Sequence, residues 1–218
     1  MSARLINAQE EERTRLAREL HDELSQQIAA LSIATSNLKA DIPEEQAGAR
    51  AQSDRLQENL AGLAEGIRRL SHELHPAVLE DAGLAAALRS YCSEFSSLIG
   101  VRVALEVEGS FGGVPSAVSL CIYRIVQEAL QNVAKHARVT DGSVQLKRSP
   151  GILSLTIADR GAGIPLDWIG AAAGLGLVSI KERTRLVNGA VRIQSMPNQG
   201  TTITVTIPAD NWIVATPR

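Results

Sequence analysis

L-A-R-E-L-H-D-E-L-S-Q, Leu16 to Gln26, is the stretch from which the rest of the chain is read. It lies in a run from residue 4 to residue 40 that lacks glycine and proline. Apolar residues recur there at helical spacing: Leu16, Leu20, Leu24, Ile28, Leu31 and Leu38. On a helix turning about 100° per residue, His21 falls about 80° from the middle of that stripe, at its solvent edge. Asp22 and Gln26, four apart, share the adjoining outer face. An imidazole is a nucleophile, a neighbouring carboxylate takes its proton, and a carboxamide orients water. A lone histidine at a bundle edge is ordinarily an uninvolved surface residue. This one gains meaning from a phosphate-binding constellation in the C-terminal half of the chain.

D-I-P at Asp41 to Pro43, with a small polar stretch through Ser53, breaks the helical pattern. A second run, Leu56, Leu60, Leu63, Ile67, Leu70 and Leu74, alternates spacings of four and three, as in the seam of a bundle. His75-Pro76 stops it; His72 and His75 are read as structural. Two such helices cannot bury two apolar seams alone. Pairing two hairpins into a four-helix bundle does so, and a homodimer is the simplest route. Residues 1–76 are therefore expected to form an antiparallel, dimerising helical hairpin.

From Gly83 the texture changes. The pattern predicts a helix over 84–98, a strand over 101–107, a helix over 114–137 opened by Pro115, and strands near 143–147 and 152–158. A glycine-rich segment runs from Gly161 to Gly176, followed by a helix over 177–187 and strands near 191–195 and 202–207. Residues 77–218 are expected to be an α+β domain, an antiparallel sheet with helices on one face.

Composition narrows the function classes. A net charge of -2 offers no electrostatic case for nucleic acid or anionic membrane. Cys92 and Cys121 lack C-x-x-C spacing and are expected to be buried free thiols. No apolar run reaches the length of a membrane span, and the N-terminus lacks the apolar core of a signal peptide. A cytoplasmic location is expected, with no membrane contact.

Three pieces of the second domain belong together. Glu128, Asn132, Lys135 and His136 fall on one helix face by the three-and-four rule. Asn132 offers a neutral oxygen suited to Mg²⁺, and Lys135 and His136 offer donors to phosphate. D-R-G-A-G-I-P, Asp159 to Pro165, sets a carboxylate at a strand end before glycines that let backbone approach a ligand. G-L-G-L, Gly174 to Leu177, opens a helix whose N-terminus favours an anion. Each piece alone is weak: a solvated face, a turn, a lone G-x-G. Together, in this order, they are specific.

With these pieces in place the chain resembles the kinase core of two-component sensor histidine kinases. The resemblance is to the nitrate-sensor and lipid-fluidity-sensor subfamily. E-E-E-R-T-R-L-A-R-E-L-H-D matches its phosphoacceptor box, and H-D-x-x-x-Q its signature. L-H-P-A-V-L-E-D-A-G-L, Leu74 to Leu84, resembles the bridge between domains, and G-T-T-I-T-V-T-I-P, Gly200 to Pro208, the terminal box. The resemblance implies a Bergerat-type α/β sandwich that binds ATP, joined to the histidine-bearing hairpin. Asp159 would accept from the adenine amino group, with Gly161 and Gly163 shaping the pocket. Asn132 would hold Mg²⁺ with Glu128 in support, while Lys135 and His136 touch phosphates. Gly174 and Gly176 would hinge a lid carrying Trp168, Leu175 and Leu177 of the same box would join the ATP-binding residues, and Thr201 would lie near the base. Ser25 and S-I-K-E-R, Ser179 to Arg183, depart slightly from the pattern.

The activity implied is autophosphorylation of His21 from ATP, then transfer to an aspartate on a response regulator's receiver domain. That regulator is expected to carry a LuxR-type DNA-binding domain, and Gln26 to serve a reverse phosphatase step. This chain itself would not touch nucleic acid. It is expected to be a piece of a longer sensor. A clamp-type ATPase and a nucleotide-sensing dimerisation module are the competing classes; the first lacks a transducer domain here, and the intact H-D and N-box residues argue against the second.

Overall fold

A computed structural model describes residues 2–74, 76–164, 175–210 and 212. The chain divides into two compact units, residues 4–77 and residues 78 onward.

The first unit is a helical hairpin. Helix α1 (Ser2–Glu19) runs into a π-helical turn (Leu20–Leu24), and α2 (Ser25–Asp41) continues it. Ile42, pushed to an extended backbone before Pro43, ends α2. Helix α3 (Ala47–Leu74) returns antiparallel. Its start lies earlier than the polar stretch through Ser53 predicts, because Ala47, Ala49 and Ala51 favour helix strongly. Small side chains join the two arms. The Ser71 hydroxyl donates to the Ala17 carbonyl (3.1 Å), Ser53 donates to that of Thr35 (3.4 Å), and Lys39 pairs with Asp54.

The leucine seams divide into two sets. Ile28, Leu60, Ile67 and Leu74 are half-buried within the hairpin. Leu24, Leu31 and Leu38, seven apart, are exposed, as are Leu56, Leu63 and Leu70. The hairpin thus keeps one row on each arm unburied.

The second unit is a two-layer sandwich. Its elements are α4 (Ala77–Asp81), α5 (Gly83–Ile99), β1 (Arg102–Glu108), α6 (Ser116–Asn132) with a π-helical turn (Val133–Ala137), and β2 (Asp141–Ser149). After these come β3 (Ile152–Asp159), α7 (Leu175–Leu186), β4 (Ala190–Met196) and β5 (Gly200–Pro208). The strand order is β1-β2-β3-β5-β4. Four of the strands pair antiparallel, but β1 pairs parallel with β2, so the sheet is mixed and not antiparallel throughout. The reason is the connection: α6 carries the chain back across the sheet between β1 and β2, which requires parallel strands.

One face of the sheet presents Val144, Leu146, Leu153, Leu155, Ile157 and Val205 to the helices. Helix α6 is buried from Cys121 through Gln127, the mark of a central helix rather than a surface one. Leu88 of α5 and Ile180 of α7 complete the layer at zero exposure. Gly100, in the left-handed conformation, caps α5. The opposite face is polar, with Ser143, Gln145, Thr204 and Thr206 along it.

Candidate functional site

The second unit holds a cavity of about 290 Å³ at the end of β3, between α6, the start of α7 and β5. Asn132, His136, Asp159, Gly163, Gly176, Leu177 and Thr201 line it. Seven sequence-predicted residues from four separate segments thus converge on one space. Their register explains why. Asp159 and Thr201 are direct partners across β3 and β5, and α6 lies over that end of the sheet.

Asp159 sits half-buried at the last position of β3. Its Oδ1 accepts the Gly161 N–H at 2.8 Å, which turns the chain under the carboxylate and leaves Oδ2 for a ligand. The following loop is pinned on two sides: the Ala162 N–H donates to the Ala137 carbonyl (2.9 Å), and the Asn198 N–H to that of Ala162 (2.8 Å). Gly163 has φ +70°, and a Cβ there would lie 2.1 Å from the Met196 carbonyl oxygen, so only glycine fits.

Gly176, in the first turn of α7, lets that helix approach α6. A Cβ there would meet Glu128 Oε1 at 2.0 Å and the Asn132 amide at 3.3 Å. Glu128 and Asn132 therefore present a carboxylate and a carboxamide side by side against the backbone of α7. One carboxylate plus one neutral oxygen suits Mg²⁺, which keeps most of its shell for phosphate and water. The donor set fits that ion. An apolar cavity with one free carboxylate oxygen, a hydroxyl and a glycine-lined rim likewise fits a purine nucleotide.

Lys135 is exposed and does not line the cavity, whereas His136 does. The even three-and-four face expected over 128–136 is interrupted because the helix widens to a π turn at Val133. A π turn also covers Leu20–Leu24, so an azimuth of His21 drawn at a uniform helical pitch does not carry through the box. Asp22 and Gln26 are exposed. The side chains of His21, His72 and Leu175, together with His75, Trp168 and Gly174, lie outside the described residues.

Sequence reasoning missed the apolar walls, Ala129, Val133, Ala137, Ile157, Ile164 and Ile203. Five of them carried a signal: Ile157 and Ile203 fall in the inward register of β3 and β5, and Ala129, Val133 and Ala137 are buried on α6 and its π turn. Ile164, in the loop after β3, carried none. Ser195 was also missed. It bonds the Ile164 N–H and lies against Thr201, and it was visible only as a polar residue in the inward register of β4 after Val191 and Ile193. Cys92 and Cys121 are buried and unpaired, as expected. Among the described residues no helix is long and apolar enough to cross a membrane.

The hairpin and the sandwich each match a known family, the second of them a class of ATPases. A family model described as histidine kinase matches residues 12–79, and one described as histidine kinase-, DNA gyrase B- and HSP90-like ATPase matches residues 117–211. The sensor histidine kinase MctS of Rhizobium johnstonii is 36% identical over 214 residues, 95% of this chain and 45% of that protein. The oxygen sensor histidine kinase NreB of Staphylococcus carnosus is 35% identical over 208 residues, 95% of this chain and 59% of that protein. The chain spans about half the length of these curated relatives. In fold it is like the histidine kinase domain of the Erythrobacter litoralis EL346 blue-light activated histidine kinase, with a TM-score of 0.52 at 20% identity, over 83% of this chain and 95% of that one. The chain belongs to the sensor histidine kinase family.

Proposed function

We propose that this chain is the phosphotransfer core of a two-component sensor: it binds ATP in the cavity of the second unit, phosphorylates His21, and passes the phosphoryl group to a receiver-domain aspartate. The observation that carries this reading is the convergence of Asn132, His136, Asp159, Gly163, Gly176 and Thr201 on one cavity, in a chain that also holds the H-D-E-L-S-Q box.

In this reading the free Oδ2 of Asp159 accepts from the adenine amino group, while Thr201 lies beside it. Asn132 would hold Mg²⁺, with Glu128 in support, and the ion would offset charge on the phosphate oxygens. His136, and Lys135 from outside the cavity wall, donate to phosphate, and Gly174 and Gly176 hinge a lid over it. Neutral His21 attacks the γ-phosphorus in line; the new P–N bond forms as the bond to the ADP oxygen breaks. Asp22 hydrogen-bonds the other ring nitrogen, fixes its tautomer and takes its proton. Gln26 orients water for the reverse dephosphorylation of the regulator. The regulator expected from the subfamily carries a LuxR-type DNA-binding domain. The chain works in the cytoplasm, and residues 1–76 and 77–218 are its phosphotransfer and ATP-binding modules.

The working unit is a homodimer. Six leucines left exposed in two rows of heptad spacing are what a second hairpin would cover.

The test is incubation with γ-labelled ATP and Mg²⁺. Protein-bound label that is acid-labile and alkali-stable, and that is lost in His21→Gln with ATP binding kept, supports the proposal. Hydrolysis with no bound label contradicts it and favours a clamp-type ATPase.

A further inference from the structure

Behind the cavity wall lies a residue that never enters the cavity. Ser195 on β4 stands opposite Thr201 on β5, and Thr201 stands opposite Asp159 on β3. Thr201, Asp159 and Ile164 line the cavity; Ser195 does not. Its Oγ accepts the Ile164 N–H at 2.8 Å, donates to the Gly200 carbonyl at 3.0 Å, and lies 2.9 Å from Thr201 Oγ1.

A serine hydroxyl has one proton and two acceptor positions. It cannot donate to both Gly200 and Thr201. When its proton goes to Gly200, all three capacities are filled if Thr201 donates to Ser195. The reverse orientation removes the bond to the Gly200 carbonyl and leaves one acceptor position of Ser195 empty. The better-satisfied network therefore commits the Thr201 proton to Ser195 and turns only lone pairs of Thr201 toward the cavity.

We propose that Ser195 is a positioning residue that sets the direction of the Thr201 hydroxyl, and so makes the polar wall selective for a 6-amino purine over a 6-oxo purine. The inference rests on the reading of this cavity as a purine-nucleotide site. Asp159, as a carboxylate, offers acceptors only, and one of its oxygens already serves Gly161. With the Thr201 proton committed, the two cross-strand neighbours form a wall of acceptors. An amino group gives hydrogens to such a wall. An oxo group meets it lone pair to lone pair, and both sides stay unpaired.

ADP and IDP probe this directly, because they exchange the 6-amino for a 6-oxo group on the same ring system. Calorimetric titration of the whole chain should show wild type preferring ADP. In Ser195→Ala the Thr201 hydroxyl rotates freely and donates to the oxo group, so the ADP-to-IDP affinity ratio should fall at least fivefold. Ser195→Thr, which keeps the hydroxyl, should restore it. Thr201→Val should lower the ratio as well, and adding Ser195→Ala to it should change the ratio no further. Loss of both affinities by one common factor in Ser195→Ala would reduce Ser195 to a tether for Ile164 and overturn the proposal. A ratio unmoved in both Ser195→Ala and Thr201→Val overturns it too. Wild type that binds both nucleotides equally overturns this inference alone, whereas wild type that binds neither overturns the nucleotide reading and this inference with it.

Discussion

Asp159 and Thr201 face each other directly across β3 and β5, and both line the same cavity. The pocket's carboxylate and hydroxyl thus ride on a strand ladder rather than on a loop, which holds their spacing fixed. Asp159→Asn keeps the shape but replaces an acceptor with a donor facing the base. A hydrogen bond to a charged group contributes about 1.5–3 kcal/mol, so ATP affinity should fall at least about tenfold. Calorimetry reads this, with the melting temperature as a check on folding. Unchanged affinity would remove Asp159 from base recognition.

Gly163 and Gly176 should respond differently to alanine. At Gly163 the new methyl meets the Met196 backbone in a left-handed conformation, which costs an L-residue about 1–2 kcal/mol before any clash. Gly163→Ala should therefore lower the melting temperature by several degrees. At Gly176 the methyl meets the end of the Glu128 side chain, which can swing away. Gly176→Ala should melt like wild type yet lose most autophosphorylation, because Glu128 is displaced from Asn132. Equal melting of the two variants would contradict the contrast.

Much of the cavity lining was legible because residue type at fixed sequence spacing marks it. Asp159 before two glycines, and Asn132 one turn beyond Glu128, carry their meaning locally. The parallel pairing of β1 with β2 was not legible, since alternation reveals a strand's faces but not its direction. Nor were the π turns at Leu20 and Val133, where the apolar spacing continues through a widened helix. Ser195 escaped because one hydroxyl in an alternating strand reads as ordinary polarity, and its role comes from Ile164, distant in sequence, together with Gly200 and Thr201 across the β4–β5 turn.

Leu31 and Leu63 are 55% and 58% exposed on the hairpin, in the middle of their rows. Leu31→Glu combined with Leu63→Glu places charge in the proposed seam while touching neither Ala17 nor Ser71, the hairpin's own buried contacts. Light scattering should report a dimer for wild type and a monomer for the double variant. A monomeric wild type would contradict the four-helix arrangement.

Burial pushes the Cys92 and Cys121 thiols up to about 12. At pH 8 the thiolate fraction in the fold is then about 10⁻⁴, against roughly a quarter for a free thiol of pKa about 8.5. Both cysteines should resist thiol reagents in the native protein and react fully in denaturant. Because the folded values are raised, this contribution to stability is complete below about pH 8.5 and is lost as pH rises toward 12. Urea midpoints should fall from pH 8 to pH 10, and less steeply in Cys92→Ala. Rapid native labelling at pH 8 would contradict the burial.

Four histidines, His21, His72, His75 and His136, compete as acceptors of the phosphoryl group. Mass-spectrometric mapping of the protein after brief incubation with ATP and Mg²⁺, under alkaline conditions that preserve phosphohistidine, separates them. The account predicts the added phosphoryl group on His21 and its absence in Asp159→Asn. Its presence on another residue, or its persistence in Asp159→Asn, would contradict it.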